Sequence, residues 1–256
     1  MNETLTKIIN ATNEPIKPYG PGSREKESIK QELKRLKSIQ VEIPIIINGE
    51  EIKTGNMANC VMPHNHNHVL GMYHQASEKE IAMAIESCLE AHKIWSTTSL
   101  EERCEIFQRM AELLQNKFRD TINASTMLGQ SKNIFQAEID SACELIDFFK
   151  FNCQYAQEIY SNQPCISPNG FKNQLEYRPL EGFVFAVTPF NFTSIAANLP
   201  SAPALMGNVS IWKPASSSVY SGHFLMQLFK EAGLPDGVIN FVPGKGSMVG
   251  PNVIKN

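Results

Sequence analysis

The segment Thr188-Pro189-Phe190-Asn191-Phe192 ends an apolar run, Gly182 to Thr188, with the character of a buried strand. An asparagine just beyond the carboxyl end of such a strand lies where open parallel sheets bind their ligands. Its side-chain N–H₂ can stabilise the negative oxygen of a tetrahedral intermediate, a donor whose loss typically costs about 2.7–4 kcal/mol of transition-state stabilisation. The alternative for Asn191 is structural, as a cap for a helix opening at Thr193 or Ser194. Lys213-Pro214 closes the next apolar run. A lysine there can donate to a sugar hydroxyl or a phosphate, and the alternative is a plain surface lysine on a loop.

Other residues carry weaker chemistry. Gly244-Lys245-Gly246-Ser247-Met248-Val249-Gly250 does not match a phosphate-binding loop, in which Lys and Ser or Thr follow the glycines, and it is read as a connecting loop. His64, His66, His68 and His74 alternate near Pro63, but no Cys or carboxylate completes a tidy metal spacing, so they read as exposed imidazoles on a loop and no metal is expected. Glu138, Asp140, Glu144 and Asp147 read as solvated charges along a helix, with no local carboxylate dyad. Ser125, Thr126, Ser131 and Ser141 lack local His and Asp partners for a hydrolase triad. The cysteines at 60, 88, 104, 143, 153 and 165 form no CxxC pair and read as buried thiols of a reducing compartment.

Bulk properties narrow the class. The chain has 256 residues, 42% apolar and 19% charged, with a net charge of -3 and a pI near 6.1. Such a balance fits a globular domain and gives no long-range attraction to nucleic acid or an anionic membrane. No apolar run is long enough to span a bilayer. The N-terminus, with Glu3, lacks the features of a secretory peptide or an Arg-rich presequence, so secretion is not expected.

The elements that must position these residues follow from spacing. Residues 1–23 are turn-rich and read as an extended arm. Ser23 caps a helix to Ile39, with Ile29, Leu33 and Leu36 on one side. Ile43 to Ile47, Asn48-Gly49 and Glu51-Ile52 form a hairpin pattern. Ser77 with Glu80, and Ser99 with Glu102, are capping boxes opening two helices. A third helix covers 117–127. A long fourth runs from Ile134 to Ile159, its seam made of Ile139, Cys143, Ile146, Phe149, Cys153 and Ala156. Residues 163–178, with Asn169-Gly170, suggest a projecting hairpin. Strand 182–188, helix 194–206, strand 209–213, helix 219–232 and strand 238–242 then alternate, the mark of a parallel sheet with crossover helices. Three parallel strands leave a buried-type strand exposed at an edge and the long helix short of cover. The organisation is therefore read as arm and helix (1–40), hairpin and helical part (41–162), second hairpin (163–178) and a sheet region (179–256).

Val209-Ser210-Ile211-Trp212-Lys213-Pro214, Gly233-Leu234-Pro235-Asp236-Gly237, Gln136-Ala137-Glu138-Ile139-Asp140 and Thr188-Pro189-Phe190-Asn191-Phe192 together resemble the aldehyde dehydrogenase superfamily, and the likeness covers essentially the whole chain. The resemblance implies an α/β fold, an incomplete doubly wound parallel sheet with N-terminal helices and an oligomerisation hairpin at 163–178. It implies NAD as cofactor, a small-molecule aldehyde (glutamate semialdehyde, in proline catabolism) as substrate, and homo-oligomers. By the same resemblance Asn191 is the oxyanion donor, Thr188, Pro189 and Phe190 lie by the nicotinamide, Lys213 and Ser216 by the adenosine ribose, and Glu138 on the substrate side. The neutral Ser216 leaves NAD against NADP open. The compartment implied is the mitochondrial matrix or the bacterial cytoplasm.

Relatives of that kind continue past the third strand into a pyrophosphate-binding turn, a glutamate base and a cysteine nucleophile. That cysteine attacks the aldehyde. None of these aligns within the 256 residues, and all six cysteines precede the sheet. The expectation is a front portion that is inactive alone. Two rivals stand beside it: a non-catalytic protein that associates with a full-length relative, and a module that only binds nucleotide.

Overall fold

In a computed structural model, residues 10–255 are described. Glu3, in the stretch read for a leader, and the first part of the expected arm lie outside them. The helices are α1 Arg24–Lys37, α2 Glu78–Trp95, α3 Leu100–Leu113, α4 Arg119–Gln130, α5 Ile134–Ala137, α6 Glu144–Ser161, α7 Thr193–Leu205, α8 Val219–Glu231 and α9 Gly246–Ile254. The strands are β1 Val41–Ile43, β2 Ile45–Ile47, β3 Glu50–Ile52, β4 Met57–Met62, β5 Asn65–His74, β6 Val184–Val187, β7 Ser210–Lys213 and β8 Ile239–Phe241. Among the described residues no helix is long and apolar enough to cross a membrane.

Local chemistry starts the helices where expected. Ser23 caps α1 through the Lys26 amide. Both capping boxes form: the Ser77 amide donates to Glu80 and the Ser99 amide to Glu102, at 2.9 and 3.1 Å. Each satisfies donors that a helix start otherwise leaves unpaired. Asn133 and Gln136 make a further box at α5.

β6, β7 and β8 are parallel, and the sheet order is β3-β2-β8-β7-β6. Of the two edges of the three parallel strands, the one at β8 is covered. β2 pairs antiparallel with it, Ile46 opposite Phe241, and the β2–β3 hairpin completes a mixed five-stranded sheet. Asn48 and Gly49 take φ of 52° and 74°, the left-handed pair a two-residue hairpin turn requires. A Cβ on Gly49 would meet the Asp236 carboxylate at 2.1 Å. Asn240 locks the corner, its Oδ1 accepting from the Asn48 amide and from Ser87 Oγ. The other edge, β6, remains open, and Val187 is 57% exposed.

Three segments differ from their expected form. The histidine stretch is not a loop: β4 and β5 pair antiparallel, and β1 lies parallel to β5 at Gly71, where a Cβ would sit 2.3 Å from the Val41 carbonyl. His74 is buried there, accepting from the Gly55 amide and facing Glu42. The Gly244–Gly250 stretch is not a loop throughout. α9 opens at Gly246, because Val249 and Val253 bury one face, outweighing Gly250 and Pro251. Residues 163–178 form no strand pair. The chain does turn at Asn169-Gly170, with the Phe171 amide on the Pro168 carbonyl, and Gln163 clasps Leu175, but this is a side-chain-tied loop without a ladder.

The long fourth helix is present with an interruption: α5 and α6 are joined by a π-helical turn, Glu138–Cys143. The wider turn shifts the inward face. Glu138 becomes fully buried while Ile139 of the expected seam is only half-buried. Trp212, fully buried, joins sheet to helices through an aromatic line: Phe241 at 5.0 Å, Phe229 at 6.2 Å, then Phe149 and Phe107.

Candidate active site

The register of β6 against β7 pairs Val187 with Lys213, so the loops after both strands open at one end of the sheet. The Thr188 amide donates to the Lys213 carbonyl at 3.2 Å. Thr188 Oγ1 accepts from buried Trp212 Nε1 at 3.0 Å. These two bonds fix where Pro189, Phe190 and Asn191 leave the sheet. Phe190 is 64% exposed and Asn191 is exposed. Asn191 does not cap α7: the N-cap residue is Phe192, and no side chain caps that end. The side-chain amide therefore stands at the sheet mouth outside the helix's own bonding.

Each of the next three residues is clamped to a different element. Lys132 Nζ lies 4.2 Å from the centre of the Phe192 ring and 2.7 Å from Asp140 Oδ2. Thr193 Oγ1 accepts from Gln130 Nε2 and shares a proton with Thr126 Oγ1, both at 2.8 Å. Ser194 Oγ donates to the Glu144 carboxylate. The chain thus passes from a fixed strand end to a fixed helix start with Phe190 and Asn191 between.

Lys213 is 8% exposed, and Nζ donates to the Pro214 carbonyl at 2.9 Å. Burial holds its pKa below the ordinary lysine range. An ammonium has three donors, and the bond to Pro214 uses one of them, so the group suits a ligand bearing hydroxyls. Ser216, in the short 3₁₀ turn Ser216–Ser218, is exposed beside it, and Ser218 Oγ reaches the Pro189 carbonyl at 3.5 Å.

Glu138 is elsewhere, and it is not a solvated charge. Its Oε1 accepts from Arg119 Nη2 at 2.5 Å and the Lys17 amide at 2.8 Å. Its Oε2 accepts from Tyr19 and Asn123, each at 2.8 Å, and from Arg119 Nε. Arg119 also holds Glu14 at 2.6 Å and the Pro15 carbonyl. Burial raises the Glu138 carboxyl, but the guanidinium and the other donors outweigh it and leave it below the usual range. The carboxylate anchors the arm. A groove of about 740 Å³ beside it, lined by Asn13, Ile16, Asp147, Phe148, Phe151 and Tyr155, does not reach Asn191 or Lys213.

Five cysteines are buried and Cys165 is exposed, which departs from the expectation for that one residue. Cys60 and Cys88 are pushed up to about 12 by burial, as is Cys143, where Glu138 adds to it. Thiols so held are poor nucleophiles. Among the described residues no cluster of His, Cys, Asp and Glu is arranged to hold a metal ion. Sequence reasoning missed Arg119, Gln130 and Lys132 as organising groups. Their roles depend on contacts far along the chain, and no local spacing marks them.

Residues 51–256 match the family model described as "Aldehyde dehydrogenase family". A probable delta-1-pyrroline-5-carboxylate dehydrogenase of Schizosaccharomyces pombe is 47% identical over 239 residues, covering 93% of this chain and 44% of the relative. The human mitochondrial delta-1-pyrroline-5-carboxylate dehydrogenase is 41% identical, covering 97% of this chain and 44% of its own length. The crystal structure of the corresponding Mycobacterium tuberculosis enzyme bound with NAD superimposes with a TM-score of 0.95 at 44% identity, over 98% of this chain and 47% of that one. The chain spans less than half the length of these relatives. The parallel sheet with its exposed asparagine, the buried lysine one strand on, and the family match over residues 51–256 lead to one assignment: the chain belongs to the aldehyde dehydrogenase family.

Proposed function

We propose that this chain carries the oxyanion and adenosine-ribose parts of an NAD-dependent site that oxidises L-glutamate γ-semialdehyde to L-glutamate. The observation that carries the reading is Asn191, exposed at the carboxyl end of β6 and excused from capping α7. Its amide N–H₂ would donate to an aldehyde oxygen as that oxygen gains negative charge. Lys213 and Ser216 would hold the ribose hydroxyls of the cofactor, and Thr188, Pro189 and Phe190 would border its nicotinamide end. NAD, when bound, supplies the hydride acceptor. Burial keeps the Lys213 side chain in one place, so its donors are pre-positioned. Glu138 contributes from a distance, by fixing the arm against α4 and the π-helical turn.

The family's oxidation also needs a thiolate. Burial holds Cys60, Cys88 and Cys143 protonated, and Cys104, whose pKa is lowered, is tied to Cys153 within the helical layer rather than to the β6–β7 mouth. The pure 256-residue chain is therefore expected to give no NADH from glutamate semialdehyde. Cysteine-dependent turnover by that chain would contradict the partial-site reading. A second reading, association with a further copy or a full-length relative through residues 163–178, is favoured by the exposure of Ile166 (79%) and Phe171 (74%) on that loop. Size-exclusion of the chain with and without these two side chains truncated to serine tests it, and an unchanged elution volume counts against it.

A further inference from the structure

We propose that Lys132 is a positioning residue for Asn191: its ammonium, held by Asp140, pins the Phe192 ring and with it the backbone that presents the Asn191 amide at the sheet mouth. The inference rests on Asn191 being the functional amide, but its geometry stands by itself. Thr188 is anchored on the strand side of Asn191, by its amide on the Lys213 carbonyl and by Trp212. On the helix side, Thr193 and Ser194 are anchored to α4 and α6. Phe192 lies between, in an extended conformation with φ of -134° and ψ of 107°. Its carbonyl already accepts from the Ala196 amide at 3.0 Å, while its side chain makes no capping bond. The ring, and the Phe192 φ that moves with it, is the freedom left on this side of Asn191.

The ring is where that freedom is removed. Lys132 Nζ sits 4.2 Å from the ring centre, within the range of a cation–π contact. The lysine is itself constrained. Its side chain is 12% exposed, and Asp140 Oδ2 takes the ammonium at 2.7 Å. Asp140 belongs to the π-helical turn, whose wider register aims it toward Lys132. Lys132 reaches this place because Ser131 ends α4 in the left-handed region, at φ of 55° and ψ of 34°. That is an uncommon state for a non-glycine residue, and it often marks a constrained site. The His64 ring meets Ser131 Oγ at 2.8 Å, tying the β4–β5 hairpin tip to the same turn. Three elements thus converge to place one cation on one ring, next in sequence to the exposed amide.

The test uses the full chain, labelled for NMR at Asn side-chain amides and Lys ε-methylenes. In the parent protein the Lys132 ε-methylene protons are expected to resonate upfield because of the ring current, and F192L to remove that displacement. K132M keeps the length and loses the charge. It is expected to shift and broaden the Asn191 side-chain amide pair while the remaining amides hold position. K132R, which retains a cation over the ring, restores the pair toward its parent position. If K132M fails to fold, D140N supplies the same information by releasing the ammonium, with a smaller displacement in the same direction. An Asn191 pair that stays put in folded K132M or D140N overturns the inference, as does an Arg variant that behaves like Met. Separately, NAD-induced shifts at Lys213 are expected to survive K132M. Loss of NAD shifts in the parent itself would sink the proposed function and leave the positioning result readable.

Discussion

Arg119 and Glu138 meet at 2.5 Å inside the helical layer, with side chains 3% and 0% exposed. The pair, extended by Glu14 and Lys150, binds the chain at residues 14–19 to α4, the π-helical turn and α6. Removing one member leaves the other charged and buried, which typically costs about 3–5 kcal/mol. Glu138→Gln and Arg119→Met are each expected to lower stability by that order in urea unfolding. A loss near zero in both would mean that the arm is held by other contacts.

The same cluster gives a pH dependence with a definite sign. Glu138 and Glu14 are both held below their ordinary value of 4.5, burial opposing and the basic partners prevailing. A carboxyl depressed in the folded state binds fewer protons there than in the unfolded chain. Its stabilisation is fully present above pH ~4.5 and is lost as pH falls through the lowered folded values. Urea midpoints are expected to hold near neutrality and decline in acid, with a shallower decline in Glu138→Gln. An equally steep decline in that variant would assign the acid sensitivity to other groups.

Asn191 separates a functional role from a capping one. Asn191→Ala is expected to change stability by no more than about 0.5 kcal/mol, as for an exposed side chain, whereas loss of a capping Asn costs about 1 kcal/mol. Thermal unfolding of the variant decides this. A loss of capping size would return Asn191 to a structural role.

Thr188 and Trp212 supply a contrasting pair. Thr188→Val keeps the shape but leaves the fully buried indole N–H without its acceptor. A stranded buried donor costs about 1–3 kcal/mol, so this conservative change is expected to destabilise more than Asn191→Ala. Equal, negligible effects would show that the indole finds another partner.

Lys213 is expected to trade stability for binding. Its ammonium is buried against the neutral Pro214 carbonyl, and its pKa is lowered by burial. Lys213→Met should leave stability unchanged or raise it by about 1 kcal/mol, since a costly buried charge is removed. Stability of the parent should also rise with pH as the lysine loses its proton, because the unfolded chain holds that proton more tightly. A large destabilisation in Lys213→Met would indicate a structural rather than a ligand-facing lysine.

Much of this layout is legible in local chemistry. Ser77 with Glu80 and Ser99 with Glu102 mark helix starts because a side chain three residues away completes each cap. Asn48-Gly49 marks its turn because few residues tolerate the left-handed region. The alternation from 182 to 242 marks the parallel sheet, and Thr188, Asn191 and Lys213 sit at its carboxyl end as their positions in that pattern demand. What stays hidden is non-local. The β2–β8 pairing rests on Ile46 meeting Phe241, which no window of sequence contains. Glu138 reads as a solvated charge only while an α-helical period is carried through residues that form a π turn. The histidines read as a loop because alternation in a polar stretch gives no apolar face to reveal β5, whose pairing is set by β4 and by the close approach at Gly71.

The most direct measurement is an NAD titration into the millimolar range, followed residue by residue in NMR spectra of the 256-residue chain and its Lys213→Met variant. Weak binding is expected, with shifts confined to Thr188–Asn191, Lys213 and Ser216 and abolished at the ribose end by the substitution. Shifts centred on another face of the molecule, or an unaltered response in Lys213→Met, would contradict the assignment of the β6–β7 mouth as the cofactor and oxyanion site.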